Sequence, residues 1–136
     1  MNYWLVKFAP FRNSWEDILK TGKFEIYSVR NPQARNSLKE MKFGDEVLFY
    51  QSQVGKSVMG KMRVIEEAHQ DKTTNDKRWV SVTFEPVETF RKPVSLIKIR
   101  QHPELCNISL IMQPRLSVVK LSEIEYSIIE NPNSFN

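Results

Sequence analysis

The chain has 136 residues, 40% of them hydrophobic and 11% aromatic, which is typical of one globular domain that can bury its own core. Its 20 basic and 16 acidic residues give a net charge of +4 at pH 7, which favours a polyanionic partner. No apolar run is long enough to span a membrane and the N-terminus lacks a signal-peptide pattern, so we expect a soluble, intracellular, cytoplasmic protein. The single cysteine, Cys106, excludes an internal disulfide.

The first predicted elements are a strand and a short helix. The segment "NYWLVKF" alternates apolar and polar residues like a strand, which Pro10 ends. Ser14 is a good helix N-cap, with Asp17 as its capping-box partner and Gly22 as the stop. The apolar stripe of this helix would consist of Trp15, Ile18 and Leu19. A further short strand is predicted in "FEIYSV".

A second helix is predicted from the stretch "VRNPQARN" onward. Asn31 caps it and Pro32 occupies its first position, where the missing N–H costs nothing. Free backbone N–H groups beside two arginines are typical of an anion-binding helix start. The buried face of this helix would hold Ala34, Leu38 and Met41, and the solvent face would hold Arg35, Lys39 and Lys42.

The second half of the chain is predicted to be mainly strand. "GDEVLFYQS" and "GKSVMGKMRVIEEAH" would form a hairpin, with Gly60 at a bulge or a close backbone approach. "WVSVTFEPVETF" follows a polar loop and alternates as a strand until Pro86, which should break the ladder. "VSLIKIRQHPEL" predicts a helix that ends before Pro103, and "RLSVVKL" predicts the last strand. Ser122 and Glu125 would cap a final helix.

These elements indicate the fold class. Five or six short strands with four short helices are typical of a mixed α/β (α+β) domain with a curled, partly closed sheet. Several strand pairs are adjacent hairpins, which disfavours a doubly wound parallel sheet. Trp4 and Trp15 are predicted to lie in the core.

Several segments follow one another in the order found in a known family. "NYWLVK", "SWEDI", "VRNPQARNSLKEMKFGDEVLFYQS", "EEAHQD", "RWVSV" and "RLSVVKLSEIEY" resemble the EVE domain, a PUA-like fold related to the YTH and ASCH domains. The resemblance implies one domain over residues 1–136, a PUA-like pseudo-barrel of five to six mixed strands flanked by short helices. It also implies a non-catalytic reader of modified bases in DNA or RNA. One difference is "KFAP", where the family usually has Lys-Ser-Glu-Pro.

A modified base would be held by aromatic stacking and by polar groups on its edge. Each of four candidate residues also has a purely structural interpretation. Trp79 and Tyr50 would be core residues, Asn31 would be only a helix cap, and Arg35 would be only a solvated surface residue. The candidate aromatic walls are Tyr27, Tyr50 and Trp79, with Phe8 as a substitute. Val29, Asn31, Ser52 and Ser117 would complete the base pocket, and Lys7, Arg30, Arg35 and Arg115 would bind flanking phosphates.

Two other functions stay open. The same pocket would suit a small-molecule or nucleotide-like ligand, and an RNA-processing enzyme is a further alternative. Catalysis has few candidate residues, because the chain has only His69, His102 and Cys106 and no triad spacing. We predict no cofactor and no metal, since only His69 and Asp71 in "HQD" approach ligand spacing. The sequence contains no heptad pattern and leaves the oligomeric state open.

Overall fold

The computed structural model describes residues 1–135, which form one six-stranded mixed sheet and five helices. The strands are β1 (Tyr3–Phe8), β2 (Phe24–Glu25), β3 (Glu46–Gln51), β4 (Ser57–Gln70), β5 (Val80–Ser95) and β6 (Val118–Leu121). The helices are α1 (Trp15–Thr21), α2 (Pro32–Glu40), α3 (Leu96–Gln101), α4 (Ser109–Met112) and α5 (Glu123–Glu130). The predicted α+β class is confirmed. Within these residues, no helix has the length and apolar character needed to cross a membrane.

The strand order of the sheet is β2-β5-β4-β3-β1-β6. β1 and β3 are parallel, with Tyr3 opposite Glu46 and Phe8 opposite Gln51, whereas the other neighbouring strands are antiparallel. β1 and β3 therefore end at the same edge of the sheet, and antiparallel β6 begins there. The chain segments that follow β1 and β3 and precede β6 meet at this edge.

The predicted helix ends are confirmed where a local capping signal exists. Ser14 closes a capping box with Asp17 at the start of α1, and the side chain of Asn31 caps α2. Gly22 ends α1 with a φ of 81°, a left-handed conformation that glycine adopts without a steric cost. A second capping box, between Ser122 and Glu125, starts α5.

The core contains the tryptophans that were predicted to lie there. Trp4 is 0% exposed and Trp15 is 2% exposed. The predicted close approach at Gly60 is also confirmed, because a Cβ atom there would lie 2.4 Å from Trp15 Cζ2 and 2.4 Å from the carbonyl oxygen of Glu88. A side chain at position 60 would therefore force α1 away from the sheet.

Two local predictions were wrong, one was confirmed, and one helix was not predicted. β2 has only two residues, and Ser28, inside the predicted strand, has a φ of 59° that strands do not adopt. The predicted break in the ladder at Pro86 is confirmed, because the pairing of β4 with β5 shifts register between Lys61–Glu88 and Met62–Pro86, and β5 continues through this irregularity. Leu19 is 45% exposed and does not share the buried face of α1. The four-residue helix α4 was not predicted, and Ile108 gives it no side-chain cap.

Candidate functional site

A cleft with a volume of about 170 Å³ opens at the edge where β1 and β3 end. Clefts at the carboxyl ends of parallel strands are common ligand sites in α/β proteins. The backbone N–H of Lys7 donates to the carbonyl of Ser117 at 2.8 Å, and that of Ser52 donates to the carbonyl of Phe8 at 2.9 Å. These bonds join the segments that line the cleft, which are Lys7, Phe8, Ala9, Arg12, Tyr27, Ser28, Val29, Ser52, Arg115 and Ser117.

The structure brings together part of the predicted site in this cleft. Phe8, the substitute wall, is 4% exposed and supports the ring of Tyr27 from the core side. Six of the predicted base-pocket and phosphate-binding residues line the cleft, namely Lys7, Tyr27, Val29, Ser52, Arg115 and Ser117.

Arg12 packs against the aromatic residues of the cleft and was not predicted. Its Cζ atom lies 4.3 Å from the ring centroid of Phe8 and 4.9 Å from that of Tyr27. Arg12 Nη2 donates to the carbonyl of Tyr27 at 3.2 Å, and the hydroxyl of Tyr27 donates to the carbonyl of Arg12 at 3.2 Å. The signal in the sequence that could have indicated this role is the basic residue directly after "APF". In the structure, the backbone N–H of Arg12 donates to the carbonyl of Ala9 at 3.0 Å and closes a turn there.

The charge of the cleft is positive. Its lining includes Lys7, Arg12 and Arg115 and no carboxylate. The ammonium of half-buried Lys7 donates to the carbonyl of Pro114, and burial lowers the pKa of Lys7. Three cations at one concave surface attract an anionic ligand.

Tyr50 and Asn31 do not line this cleft. Tyr50 lies on β3, an interior strand of the sheet, and is 2% exposed within the hydrophobic core. Burial raises the pKa of the Tyr50 hydroxyl. The side-chain oxygen of Asn31 accepts a hydrogen bond from the N–H of Ala34 at 3.0 Å. In this structure Tyr50 packs the core and Asn31 caps α2.

Trp79, Arg30 and Arg35 lie together with Arg78 in a second group, which we call the Trp79 cluster. The guanidinium carbon of Arg35 lies 5.4 Å from the Trp79 ring centroid, and those of Arg30 and Arg78 each lie 5.6 Å from it. Such contacts contribute about 0.5–1 kcal/mol each at exposed sites. Arg35, which was predicted to lie on the solvent face of α2, is half-buried.

Asp71 connects the Trp79 cluster to the cleft. Its side chain is 0% exposed and binds Arg30 Nη1 at 2.9 Å. It also accepts hydrogen bonds from the N–H of Ser28 at 2.8 Å and from the hydroxyl of Thr73 at 2.7 Å. Burial raises the pKa of Asp71, but the hydrogen bonds from Thr73, Arg30 and Ser28 outweigh it and hold the pKa at about 2. Ionised Asp71 therefore holds both the cleft residue Ser28 and an arginine of the cluster.

His69 and Asp71, the two residues that approach metal-ligand spacing in the sequence, contact different groups. His69 Nε2 lies 2.7 Å from Glu25 and 3.4 Å from Glu66, and Nδ1 lies 2.9 Å from the carbonyl of Glu67. Burial lowers the pKa of His69, but the Glu67 carbonyl and the two carboxylates outweigh it, so the pKa is raised. The arrangement suits a protonated histidine between two carboxylates.

A larger cavity, of about 530 Å³, lies between β5 and the end of α5. None of the predicted site residues line it, and its charges are mixed. We therefore take the cleft at the β1 and β3 ends as the candidate site. The larger cavity is lined by Glu88, Phe90, Arg91, Lys92, Val94, Ile129, Glu130, Pro132 and Asn133.

The mixed sheet and the basic cleft at its edge define a PUA-like domain. The EVE domain family model matches residues 2–131, and the chain belongs to this family. The resemblance seen in the sequence motifs is confirmed.

Three proteins are similar to this chain in sequence or in structure. Mouse thymocyte nuclear protein 1 is 28% identical, over 94% of this chain and 72% of the relative. Protein Atu2648 from Agrobacterium tumefaciens is 40% identical in sequence. Its crystal structure matches this one with a TM-score of 0.89, over 95% of this chain and 90% of that chain. Human THYN1 protein, crystallised in complex with DNA containing 5-methylcytosine, shares the fold at 24% identity and a TM-score of 0.86, over 95% of each chain. The chain spans only 55% of human thymocyte nuclear protein 1.

Proposed function

We propose that this protein is a non-catalytic nucleic-acid-binding domain that reads a modified base in DNA or RNA and holds that base in the cleft. One observation carries the proposal: an aromatic wall, serine hydroxyls and three cations converge on one cleft that no carboxylate lines. The complex of human THYN1 protein with DNA containing 5-methylcytosine supports a nucleic-acid ligand for this fold.

The base would lie against Tyr27 and Val29, with the hydroxyls of Ser52 and Ser117 at its edge. Extruding a base from a duplex costs roughly a few kcal/mol. Stacking on one aromatic side chain returns about 1–3 kcal/mol. A single aromatic wall therefore offsets only part of that cost, and contacts to the backbone of the nucleic acid must supply the remainder.

We assign the phosphate contacts to two neighbouring groups of cations. Lys7 and Arg115 line the cleft, and Arg30 and Arg35 lie in the Trp79 cluster. Asp71 contacts both Ser28, in the lining of the cleft, and Arg30, in the Trp79 cluster. Each phosphate contact adds about −0.9 to the slope of log K against log salt on duplex DNA. Four contacts thus predict a slope of about −3 to −4.

Fluorescence anisotropy with labelled oligonucleotides tests the proposal. Each DNA or RNA oligonucleotide carries cytosine, 5-methylcytosine, 5-hydroxymethylcytosine, adenine or N6-methyladenine at one central position. We expect one modification to raise the affinity of the wild-type protein and Tyr27→Ala to abolish that gain. Tyr3→Ala is the matched control, because Tyr3 lies at the end of β1 away from the cleft. Like Tyr27, it packs on an aromatic ring, since the ring centroids of Tyr3 and Tyr126 lie 4.5 Å apart. Equal binding of every oligonucleotide by the wild type would contradict the proposal.

The salt dependence of binding separates this proposal from a small-molecule function. Several phosphate contacts weaken steeply with salt, whereas a single small ligand shows a shallow slope. An RNA-processing enzyme would change the oligonucleotide during incubation. We expect mass spectrometry to recover the bound oligonucleotide unchanged.

A further inference from the structure

We infer that the nucleic acid bound at the cleft is a duplex, and that Phe11 enters its base stack as an apolar wedge and fills the gap that the extruded base leaves. Proteins that unstack base pairs insert side chains such as phenylalanine or leucine between neighbouring bases. The inference rests on the proposed function, because a base held in the cleft leaves such a gap behind it.

Phe11 lies in a tight turn at the rim of the cleft. The backbone N–H groups of Arg12 and Asn13 both donate to the carbonyl of Ala9, at 3.0 and 3.1 Å. Ala9 and Arg12 line the cleft on either side of Phe11 in the chain. Tyr27 binds this turn twice, because its carbonyl accepts from the Arg12 guanidinium and its hydroxyl donates to the Arg12 carbonyl. Phe11 is therefore held next to the cleft by contacts on both sides of it.

The side chain of Phe11 is 76% exposed. Phe8, three residues earlier, is 4% exposed and packs on the ring of Tyr27, so the same segment places one phenyl ring in the core and leaves the other in water. Transfer of an exposed phenyl ring to apolar surroundings is favourable. The faces of the neighbouring base pairs provide such surroundings, because an aromatic side chain stacks on any base.

The loop that follows β3 adds a second exposed apolar side chain at this edge of the sheet. Val54 is 69% exposed, and its N–H donates to the carbonyl of Ser52 at 2.8 Å across a residue with a φ of 64°, which is a strained type of γ-turn. The side chain of Gln51 accepts from the N–H of Trp15 at 3.2 Å and donates to the carbonyl of Val54 at 3.3 Å. Gln51 therefore joins this loop to the segment that follows the turn of Phe11.

The lining of the cleft favours a duplex over a single strand. Sites for single strands stack successive bases on several aromatic side chains. Of the two aromatic residues in the lining, Phe8 is buried and Tyr27 alone is left for a base. Lys7 and Arg115 supply positive charge for the phosphates beside the gap. Basic side chains together with an apolar wedge are the combination with which proteins unstack a duplex.

Fluorescence anisotropy at one salt concentration tests the inference. A labelled DNA oligonucleotide carries cytosine or 5-methylcytosine at one central position and is used alone or annealed to its complement. We expect Phe11→Ala to lower the affinity for the duplex about 5-fold to 150-fold, which corresponds to the loss of stacking on one aromatic side chain. The affinity for the single strand should change by less than about twofold, because no paired neighbours enclose a gap there.

A duplex with an abasic residue at the central position separates the wedge from the base pocket. This duplex contains the gap but no base for the cleft to hold. Phe11→Ala should lower the affinity for it as well, because the wedge contacts the neighbouring base pairs. An unchanged affinity for the abasic duplex would show that Phe11 contacts the extruded base instead, and would overturn the wedge.

Three further variants control for the size and place of the side chain. Phe11→Leu keeps an apolar wedge and should lose less duplex affinity than Phe11→Ala. Val54→Ala should also lose less, because it removes less apolar surface. Phe43→Ala is the matched control and should bind like the wild type, because Phe43 is 69% exposed and precedes β3, at the end of that strand away from the cleft. Thermal unfolding followed by circular dichroism shows that each variant is folded.

The remaining outcomes distinguish the wedge from the proposed function. Equal losses for duplex and single strand in Phe11→Ala, no loss for either, or an equal loss in Phe43→Ala overturn the wedge. A wild type that prefers the single strand overturns the duplex, whereas a methyl contrast on that strand still supports base reading. A duplex-specific loss without a methyl contrast supports the wedge and counts against reading of 5-methylcytosine. If the wild type binds neither form, both claims fail.

Discussion

Asp71 accepts a hydrogen bond from the backbone N–H of Ser28 at 2.8 Å, although the two residues lie 43 positions apart. Ser28 has a φ of 59°, a left-handed conformation that is unfavourable for a residue with a side chain. Asp71 therefore stabilises a strained backbone at the rim of the cleft. The same carboxylate holds Arg30 at 2.9 Å, so it determines the position of both parts of the site.

Replacement of this carboxylate should lower the stability of the protein. We expect Asp71→Asn to reduce the free energy of unfolding by about 2–4 kcal/mol at pH 7, because it leaves a buried partner of Arg30 uncharged. Urea unfolding followed by tryptophan fluorescence measures the change. Asp76→Asn, at the exposed pair with Arg78, is the control and should have a much smaller effect.

The effect of Asp71 on stability should also depend on pH. The pKa of Asp71 is held at about 2, below the value of about 3.9 in an unfolded chain. Its ionised form therefore stabilises the fold above about pH 4, and this contribution is lost as the pH falls through about 2. The difference in unfolding free energy between the wild type and Asp71→Asn should shrink over this range. A difference that is constant between about pH 6 and pH 2 would contradict the assignment.

Gly60→Ala should destabilise the contact between α1 and the sheet. The added Cβ atom would lie 2.4 Å from the Trp15 ring and 2.4 Å from the Glu88 carbonyl. Overpacking of this kind costs about 1–3 kcal/mol. The double variant Trp15→Leu/Gly60→Ala should lose less stability than the sum of the single changes, because the smaller side chain relieves one of the two contacts. Additive losses in thermal unfolding would show that the ring is not the obstacle.

His69 should stabilise the fold at low pH rather than at high pH. Its pKa is raised because the Glu67 carbonyl, Glu25 and Glu66 together outweigh burial. The stabilisation is fully present below the unfolded pKa of about 6.5 and is lost as the pH rises through the higher folded pKa. The destabilisation caused by His69→Gln should therefore be larger at about pH 5.5 than at about pH 8.5. Glu25→Gln removes one partner and should weaken the same pH dependence, which urea unfolding across this range measures.

Arg35→Gln should weaken binding to every nucleic acid without changing the base preference. Arg35 lies against Trp79, and neither residue lines the cleft. Loss of one phosphate contact should reduce the salt slope by about 0.9 on duplex DNA and lower the affinity about equally for modified and unmodified oligonucleotides. Anisotropy titrations at four salt concentrations provide both numbers. A change in base preference would instead place Arg35 next to the base.

Local signals accounted for most of the secondary structure. The alternation in "NYWLVKF" and the caps at Ser14, Asn31 and Ser122 depend only on residues close in the chain, so the sequence predicted them correctly. Pro86 breaks the ladder as predicted, but the proline alone does not decide whether the strand ends there. Whether a proline ends a strand depends on whether the neighbouring strand needs its N–H, and the register shift opposite Met62 removes that need.

The sequence by itself determined the α+β class, the family, the caps and the basic helix start, because these features follow from composition, periodicity and motif order. Only the tertiary structure decided which aromatic residues are accessible. The order of the sheet places Tyr50 on an interior strand and Tyr27 beside the ends of β1 and β3, and nothing local to either tyrosine distinguishes the two. The positions of Arg12 on Tyr27 and of Asp71 between Ser28 and Arg30 likewise depend on contacts between segments far apart in the chain.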